Sequence, residues 1–143
     1  MTIVFDMDNC ISDDEWRISK INLEGRTPFE RYHHYHSLAG FDRLQNRWLI
    51  ESYSEEEIVI ITSRPELYRP IAEEWLARHD INARLIMRAN DDHSPSVEFK
   101  KSVIQSFASC VKIAYDDRED IIQMYKQLGI DGRIAKIHDK EAA

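Results

Sequence analysis

Short hydrophobic runs alternate with longer polar stretches along the whole chain. Residues 2–6, 58–61 and 111–115 are rich in β-branched and aromatic side chains, which favour buried strands. Weaker runs at 83–87 and 134–137 predict two further strands. Segments with helical periodicity separate these runs, and strands that alternate with helices are typical of a parallel sheet covered on both faces. The pattern therefore predicts an α/β fold.

The predicted helices share apolar residues that recur every three or four positions and form one face. The first lies within the polar stretch 12–53, which residues 26–29 are expected to break, and the second begins at Pro65. A third follows a polar loop at 90–95, and a fourth spans 119–128 and ends at Gly129. The apolar positions are Leu38, Phe41, Leu44, Trp48 and Leu49 in the first, Leu67, Ile71, Trp75 and Leu76 in the second, and Val97, Val103, Ile104 and Phe107 in the third.

Length and charge restrict the class of protein. A chain of 143 residues corresponds to one domain, since domains commonly have ~100–200 residues. Hydrophobic residues make up 43% of it and charged residues 31%, so residues 1–143 are expected to form a single globular domain. The net charge of −7 argues against a broad surface that coats nucleic acid. It is compatible with a small positive pocket for one phosphate group.

Neither a membrane nor an oxidising compartment is expected. The apolar runs are far shorter than the ~18 residues that span a bilayer, and the acidic N-terminal segment is unlike a signal peptide. Cys10 and Cys110 have no metal-ligand spacing. Both are expected to be reduced thiols in a cytoplasmic protein.

Polar side chains follow three of the predicted strands. Asp6 and Asp8 end the first strand, Thr62 ends the second, and Asp116 and Asp117 end the fourth. In an open α/β sheet, ligands bind beyond the carboxyl ends of the strands. A single aspartate at such a position commonly starts a turn or caps a helix. Five polar residues at three strand ends instead favour one functional crevice.

The residue types in this crevice suit phosphate chemistry. Of Asp6 and Asp8, one carboxylate can attack phosphorus while the other protonates the leaving oxygen. A phosphate dianion repels the attacking carboxylate, so a cation is needed, and Mg²⁺ prefers oxygen ligands such as those of Asp6, Asp116 and Asp117. The Thr62 hydroxyl can donate to the transferred phosphoryl group, whose charge a lysine can neutralise.

These residues resemble the four motifs of the haloacid dehalogenase superfamily of phosphotransferases. The motifs are matched in order by Asp6-Met7-Asp8, by Ile61-Thr62, by Lys100 or Lys101, and by Asp116-Asp117. The resemblance implies a Rossmann-like three-layer sandwich with a central parallel sheet and a small helical cap. It also implies that Asp6 is the nucleophile, Asp8 the general acid and base, and Thr62 and Lys100 the phosphoryl-binding pair. Mg²⁺ would be held by Asp6, the backbone carbonyl of Asp8, Asp116 and Asp117.

A narrower resemblance involves the 3′-phosphatase domain of phage polynucleotide kinase-phosphatases. It extends over Thr62-Ser63-Arg64, Met87-Arg88 and Asp116-Asp117-Arg118, and it selects Lys100 as the motif lysine. Ser63, Arg64 and Arg88 would then contact the phosphorylated substrate or order the site. Asn9, Cys10 and Ser63 depart from the residues usual at their positions, which for Asn9 and Ser63 are glycines. The Gly-rich phosphate loop of the kinase half is absent from the sequence, so no kinase activity is expected.

The segment between the first two strands is longer than one connecting helix requires. Its surplus, at about 15–38, is expected to form the cap. Tyr32 and Tyr35 in this cap are candidates for stacking on a nucleobase or for packing the cap itself. The histidines at 33, 34 and 36 are a weak indication of zinc.

The function that these features favour is Mg²⁺-dependent hydrolysis of a phosphomonoester through an aspartyl-phosphate. The substrate would be a nucleotide or the 3′-phosphate end of a polynucleotide. Two alternatives stay open: a phosphatase of a small non-nucleotide metabolite, and a catalytically idle module that binds phosphate. The oligomeric state is not predicted.

Overall fold

The chain folds around a central parallel sheet. The computed structural model describes residues 1–22 and 27–139. Its strands are β1 (Thr2–Phe5), β2 (Ser12–Asp13), β3 (Arg43–Leu44), β4 (Glu57–Pro65), β5 (Arg84–Arg88), β6 (Val111–Asp116) and β7 (Asp131–Ile134). Its α-helices are α1 (Glu15–Ile18), α2 (Pro28–Ser37), α3 (Arg47–Glu51), α4 (Arg69–Arg78), α5 (Ser96–Ile104) and α6 (Glu119–Gln127).

The strand order of the five-stranded sheet is β5-β4-β1-β6-β7, with β1 in the middle. Phe5 at the end of β1 is opposite Ile60 in β4 and Tyr115 in β6, and all neighbouring strands run parallel. The carboxyl ends of the strands therefore meet at one edge of the sheet. This confirms the predicted parallel α/β sheet.

Helices cover both faces of the sheet, because successive side chains of a strand point to opposite faces. Ile3 and Phe5 belong to one buried cluster, which includes Trp75 of α4. Val4 belongs to the other, together with side chains of α5 and α6 such as Phe99. The result is a three-layer arrangement in which β1 is fully buried.

The helix predicted over 38–49 is wrong. That stretch contains a 3₁₀ turn at Ala39–Phe41, then β3, which pairs antiparallel with β2, and then the short helix α3. Phe41 is 75% exposed and Trp48 is 70% exposed, so the helical spacing of these rings does not mark a buried face. Leu44 and Leu49 do pack against the core. The pairing of Ser12 with Leu44 overrides the local helical pattern.

Three boundaries also differ from the prediction. Pro65 ends β4, where it pairs with Arg88 of β5, and α4 begins only at Arg69. Leu67, between them, is 54% exposed. In the third helix, α5 ends at Ile104, before the predicted apolar position Phe107. β7 lies at 131–134 rather than at 134–137, since the turn-like pair at 131–132 is the start of the strand.

Two local signals behave as predicted. Gly129 has φ +79°, and its N–H donates to the carbonyl of Lys126. This turn follows the end of α6. The predicted break at 26–29 starts at Arg26, outside the described residues, but Thr27 caps α2, which begins at Pro28. The segment predicted as a cap contains α1 and α2, and its residues 23–26 also lie outside the described part. No helix in the part of the chain that the structure describes is long and apolar enough to cross a bilayer.

Candidate active site

The loop after β1 brings Asp6 to a lysine and a second aspartate. Lys100 of α5 lies with Nζ 2.9 Å from Oδ1 of Asp6 and 2.6 Å from Oδ2 of Asp116. All three are at most 7% exposed. They meet because β1 and β6 are adjacent, and the Lys100 side chain reaches from α5 to the ends of both strands.

Burial and mutual repulsion control the charges of this cluster. Burial and the neighbouring Asp6 raise the pKa of Asp116 above its usual value. Burial alone would lower the pKa of Lys100, but Asp116 and Asp6 raise it well above the usual value. The lysine is therefore a permanent cation at neutral pH, and one cation is shared by two acids.

A third carboxylate makes the cluster a candidate metal centre. Asp6, Asp116 and Asp117 each offer one oxygen, and these atoms lie within 4.8 Å of one another. Three acids beside a single lysine leave an excess of negative charge. A divalent cation with oxygen ligands fits both this charge and this donor set. No histidine takes part in a comparable group among residues 1–22 and 27–139.

A cleft of about 1440 Å³ opens above the cluster. Every site residue predicted from the sequence lines it: Asp6, Asp8, Thr62, Ser63, Arg64, Arg88, Lys100, Asp116 and Asp117. Thr62 is 1% exposed, and its Oγ1 accepts from the N–H of Arg64 at 3.2 Å. Cys10, in the loop after β1, is fully buried, and burial raises the pKa of its thiol well above the usual value. It is a packing residue and not an activated nucleophile.

Asp8 has a different environment from Asp6. Its Oδ1 lies 2.5 Å from Nη2 of Arg17 and 2.6 Å from Nη2 of Arg64. Both arginines are buried, and Arg64 is thereby engaged with Asp8 at the wall of the cleft. Two cations this close favour the carboxylate form of Asp8. In this state Asp8 is suited to accept a proton.

Asp42 connects the two arginines, and sequence reasoning missed it together with Arg17. The Asp42 carboxylate accepts from Nε of Arg17 at 2.8 Å and lies 3.6 Å from Nη2 of Arg64. Its backbone carbonyl accepts from Nε1 of Trp75. The side chain is fully buried, so Asp42 balances the charge of the buried arginines. The neighbouring Phe41 is unusually exposed, but no local sequence pattern identifies Asp42 as a buried acid.

We expect Asp42→Asn to destabilise the fold by about 3–5 kcal/mol, because breaking a buried ion pair leaves Arg17 and Arg64 with too little negative charge. Chemical denaturation of both proteins measures the difference. Glu73→Gln is the control, since Glu73 pairs with Arg69 at the surface, where such pairs contribute little. Equal unfolding midpoints for the Asp42 variant and the control would contradict the role of Asp42.

Arg88 and Ser63 both form hydrogen bonds with the segment at the start of α5. Arg88 donates from Nη1 to the carbonyl of Ser94 at 2.5 Å and from Nη2 to Oγ of Ser96 at 3.1 Å. Ser63 Oγ donates to the same Ser96 oxygen at 2.8 Å. Of the two roles that the resemblance implied for Arg88, these contacts fit the ordering of the site. They hold the segment before α5, and therefore Lys100, in place.

The segment predicted as a cap contributes ring side chains to the lining of the cleft. Tyr35 is buried, its hydroxyl donates to Asp14, and the Arg17 guanidinium lies 4.2 Å from its ring centre. Tyr35 therefore packs this segment. Both tyrosines line the cleft, but Tyr32 is 49% exposed, and its ring centre lies 6.3 Å from that of His36. Burial lowers the pKa of His36 to about 4, so this histidine is neutral at pH 7.

Comparison with known proteins identifies the fold. A chain in the structure of the Pnkp1/Rnl/Hen1 RNA repair complex is similar over 96% of this chain, with TM-score 0.74 and 21% identity. The match covers only 43% of that chain, so this protein spans less than half of it. No family model and no curated protein match the sequence.

Two hydrolases of similar size show the same arrangement. A haloacid dehalogenase family enzyme from Bacteroides thetaiotaomicron, in complex with magnesium and inorganic phosphate, has TM-score 0.55 and 13% identity over 99% of this chain and 97% of its own. A hydrolase of the same family from Entamoeba histolytica has TM-score 0.60 and 15% identity over 93% of this chain and 82% of its own. At these identities the similarity establishes the haloacid dehalogenase-like fold, which the motifs predicted.

Proposed function

We propose that the protein is a Mg²⁺-dependent phosphomonoesterase that acts on a nucleotide or on the 3′-phosphate end of a polynucleotide. One observation carries the proposal: Asp6 lies with Lys100, Thr62 and two further acids at the base of an open cleft. The residues proposed as nucleophile, phosphoryl-binding pair and metal ligands thus lie together. The fold shared with hydrolases, one of them in complex with magnesium and phosphate, supports it.

The proposed reaction has two steps on Asp6. A carboxylate oxygen of Asp6 forms a bond to phosphorus, the bond from phosphorus to the ester oxygen breaks, and Asp8 gives its proton to the leaving alcohol. Water then attacks the aspartyl-phosphate, Asp8 takes the proton of that water, and the bond between phosphorus and Asp6 breaks. Lys100 and Thr62 contact the phosphoryl oxygens in both steps. A divalent cation, when bound, would offset the charge that the phosphate brings to the acids.

The charges around Asp8 account for its two proposed roles, as a base and as an acid. Before substrate binds, Arg17 and Arg64 favour the Asp8 carboxylate. A phosphate dianion placed beside Asp8 favours its protonated form, because like charges repel. Asp8 can therefore take up a proton as substrate enters and lose it to the leaving oxygen.

A nucleic-acid end fits the cleft better than a small metabolite. Pockets for small ligands have volumes of roughly 300–1,000 Å³, and this cleft is larger. The exposed residues that line it include the rings of Tyr32 and His33 and the cations of Arg118 and Lys136. Exposed rings can stack on bases, and rim cations can contact backbone phosphates. The similarity to a chain of an RNA repair complex points to the same class of substrate.

A panel of phosphate esters tests the proposal. We expect Mg²⁺ to support phosphate release from 3′-phosphorylated oligonucleotides, and EDTA to abolish it, measured as inorganic phosphate. Affinity for the oligonucleotide should fall as salt rises, since phosphate contacts release counterions. Equal release from sugar phosphates would instead support a metabolite phosphatase. Full activity in EDTA would contradict the metal assignment, and no release from any ester would support a binding module.

A further inference from the structure

Asn9 directly follows Asp8, the second acid of the first motif, in the loop after β1. Its φ is +63°, the left-handed region that favours glycine, which is the residue usual at this position in the proteins that the motifs resemble. Asn9 is 2% exposed. A buried side chain in place of glycine at a strained position requires a reason, and its hydrogen bonds provide one.

The Asn9 amide uses both of its donors and both of its acceptor positions. Nδ2 donates to Oδ2 of Asp117 at 3.1 Å and to the carbonyl of His138 at 2.7 Å. Oδ1 accepts from the N–H of Ile137 at 3.1 Å and of His138 at 2.9 Å. One side chain therefore joins a candidate metal ligand to the backbone of residues 135–139, here termed the C-terminal segment.

The C-terminal segment is itself fastened beside the site. The N–H of Ala135 donates to the carbonyl of Asp116 at 2.9 Å. The His138 ring lies with Nε2 3.0 Å from Oδ1 of the buried Asp14, which also accepts from the Tyr35 hydroxyl. Lys136, His138 and Asp139 line the cleft. The segment is thus a wall of the cleft that contacts both the acid cluster and the cap.

We infer that Asn9 is a positioning residue that orients the Asp117 carboxylate for the metal and makes this orientation depend on the docked C-terminal segment. The inference rests on the metal site of the proposed function. The hydrogen bond from the Asn9 amide to Oδ2 fixes the orientation of the Asp117 carboxylate beside Asp6 and Asp116. Groups that hydrogen-bond a metal ligand in this way typically contribute 10–100-fold to metal affinity.

The test is a calorimetric titration of the full chain with Mg²⁺. Asn9→Gly keeps the left-handed backbone without strain but removes the amide. We expect the Mg²⁺ Kd of this variant to rise about 10–100-fold. Asn46→Gly is the matched control: Asn46 has φ +58°, and its Nδ2 donates to the carbonyl of Cys10 at 2.8 Å, with no contact to an acid of the cluster among those the structure shows. Its Kd should stay at the wild-type value.

A second variant tests the link to the C-terminal segment. Ile137→Pro removes the N–H that donates both to Oδ1 and to the backbone carbonyl of Asn9, at a position that is only partly buried. It should also raise the Mg²⁺ Kd, and the double variant with Asn9→Gly should lose less than the product of the two single effects, because both loosen the contact between Asn9 and the segment. Additive losses, or a wild-type Kd for Ile137→Pro, would refute the dependence on the segment.

The outcomes separate this inference from the proposed function. If wild-type protein binds no Mg²⁺, the metal site fails and the inference fails with it. If wild-type protein binds Mg²⁺ and Asn9→Gly binds it equally well, the proposed function stands and the inference is refuted. Equal weakening in Asn9→Gly and Asn46→Gly would indicate a general loop effect and would refute it too.

Discussion

Asp6→Asn is expected to abolish phosphate release, by on the order of 10⁴-fold or more, because the amide that replaces the carboxylate is a poor nucleophile. No phosphoenzyme should form, which acid quenching of a reaction with radiolabelled substrate measures directly. Asp120→Asn is the control, since Asp120 is a half-exposed acid at the rim of the same cleft and pairs with Arg118. A labelled intermediate in the Asp6 variant would contradict the assignment of the nucleophile.

The same variant should not lose stability. Asp6 and Asp116 repel each other, and this repulsion contributes to the raised pKa of Asp116. With Asp6 neutral, Lys100 keeps Asp116 as its partner at 2.6 Å. The melting temperature without metal should therefore be equal to or above that of the wild type, as is common where a functional site stores repulsion. A sharp fall would show that Asp6 holds the fold together.

The features that could be predicted from sequence are those with a local or periodic signal. β1, β4 and β6 are recognisable in the sequence as runs rich in β-branched residues, and parallel connections then place Asp6, Thr62 and Asp116 at one edge. Lys100 lies on a helix, and the resemblance to the 3′-phosphatase domain selected it over Lys101. The contact of Lys100 with both acids follows once α5 is packed on the sheet.

The features that could not be predicted depend on contacts between distant residues. Asp42 lies in the stretch whose periodicity wrongly predicted a helix, and Arg17 lies in a polar segment. Only the folded chain shows that both are buried against each other. For Tyr35 the sequence left stacking on a base and packing of its own segment both open, and the contacts with Asp14 and Arg17 favour packing. The role of Asn9 requires the C-terminal segment, which lies about 130 residues away in sequence.

The structure also gives the two acids of the first motif separate surroundings. Asp6 shares one lysine with Asp116 and faces the candidate metal ligands. Asp8 instead faces two buried arginines, which Asp42 holds in place. Two carboxylates in different electrostatic environments are commonly assigned different tasks. The residues that we propose as nucleophile and as proton carrier therefore have different environments, although only one residue lies between them.

Asp8→Asn should slow hydrolysis in a way that depends on the leaving group. An asparagine has no proton to give to the leaving oxygen, so alkyl esters such as a 3′-phosphorylated sugar should lose most of their rate, about 10²–10⁴-fold. p-Nitrophenyl phosphate releases a stable phenolate that needs little protonation, and its first step should be affected less. Rapid-quench measurement of the phosphoenzyme on both esters separates that step from the hydrolysis of the intermediate.

The Asp8 variant should also lose stability, in contrast to the Asp6 variant. Without the Asp8 charge, the buried Arg17 and Arg64 retain Asp42 as their carboxylate partner, and one positive charge is left unbalanced. The loss should be about 1–3 kcal/mol, since asparagine can still accept a hydrogen bond from an arginine.

Mg²⁺ affinity should change little, because the side chain of Asp8 is not among the candidate metal ligands. Equal rate losses on both esters would contradict Asp8 as the proton donor, whereas a weakened Mg²⁺ affinity would place its side chain at the metal.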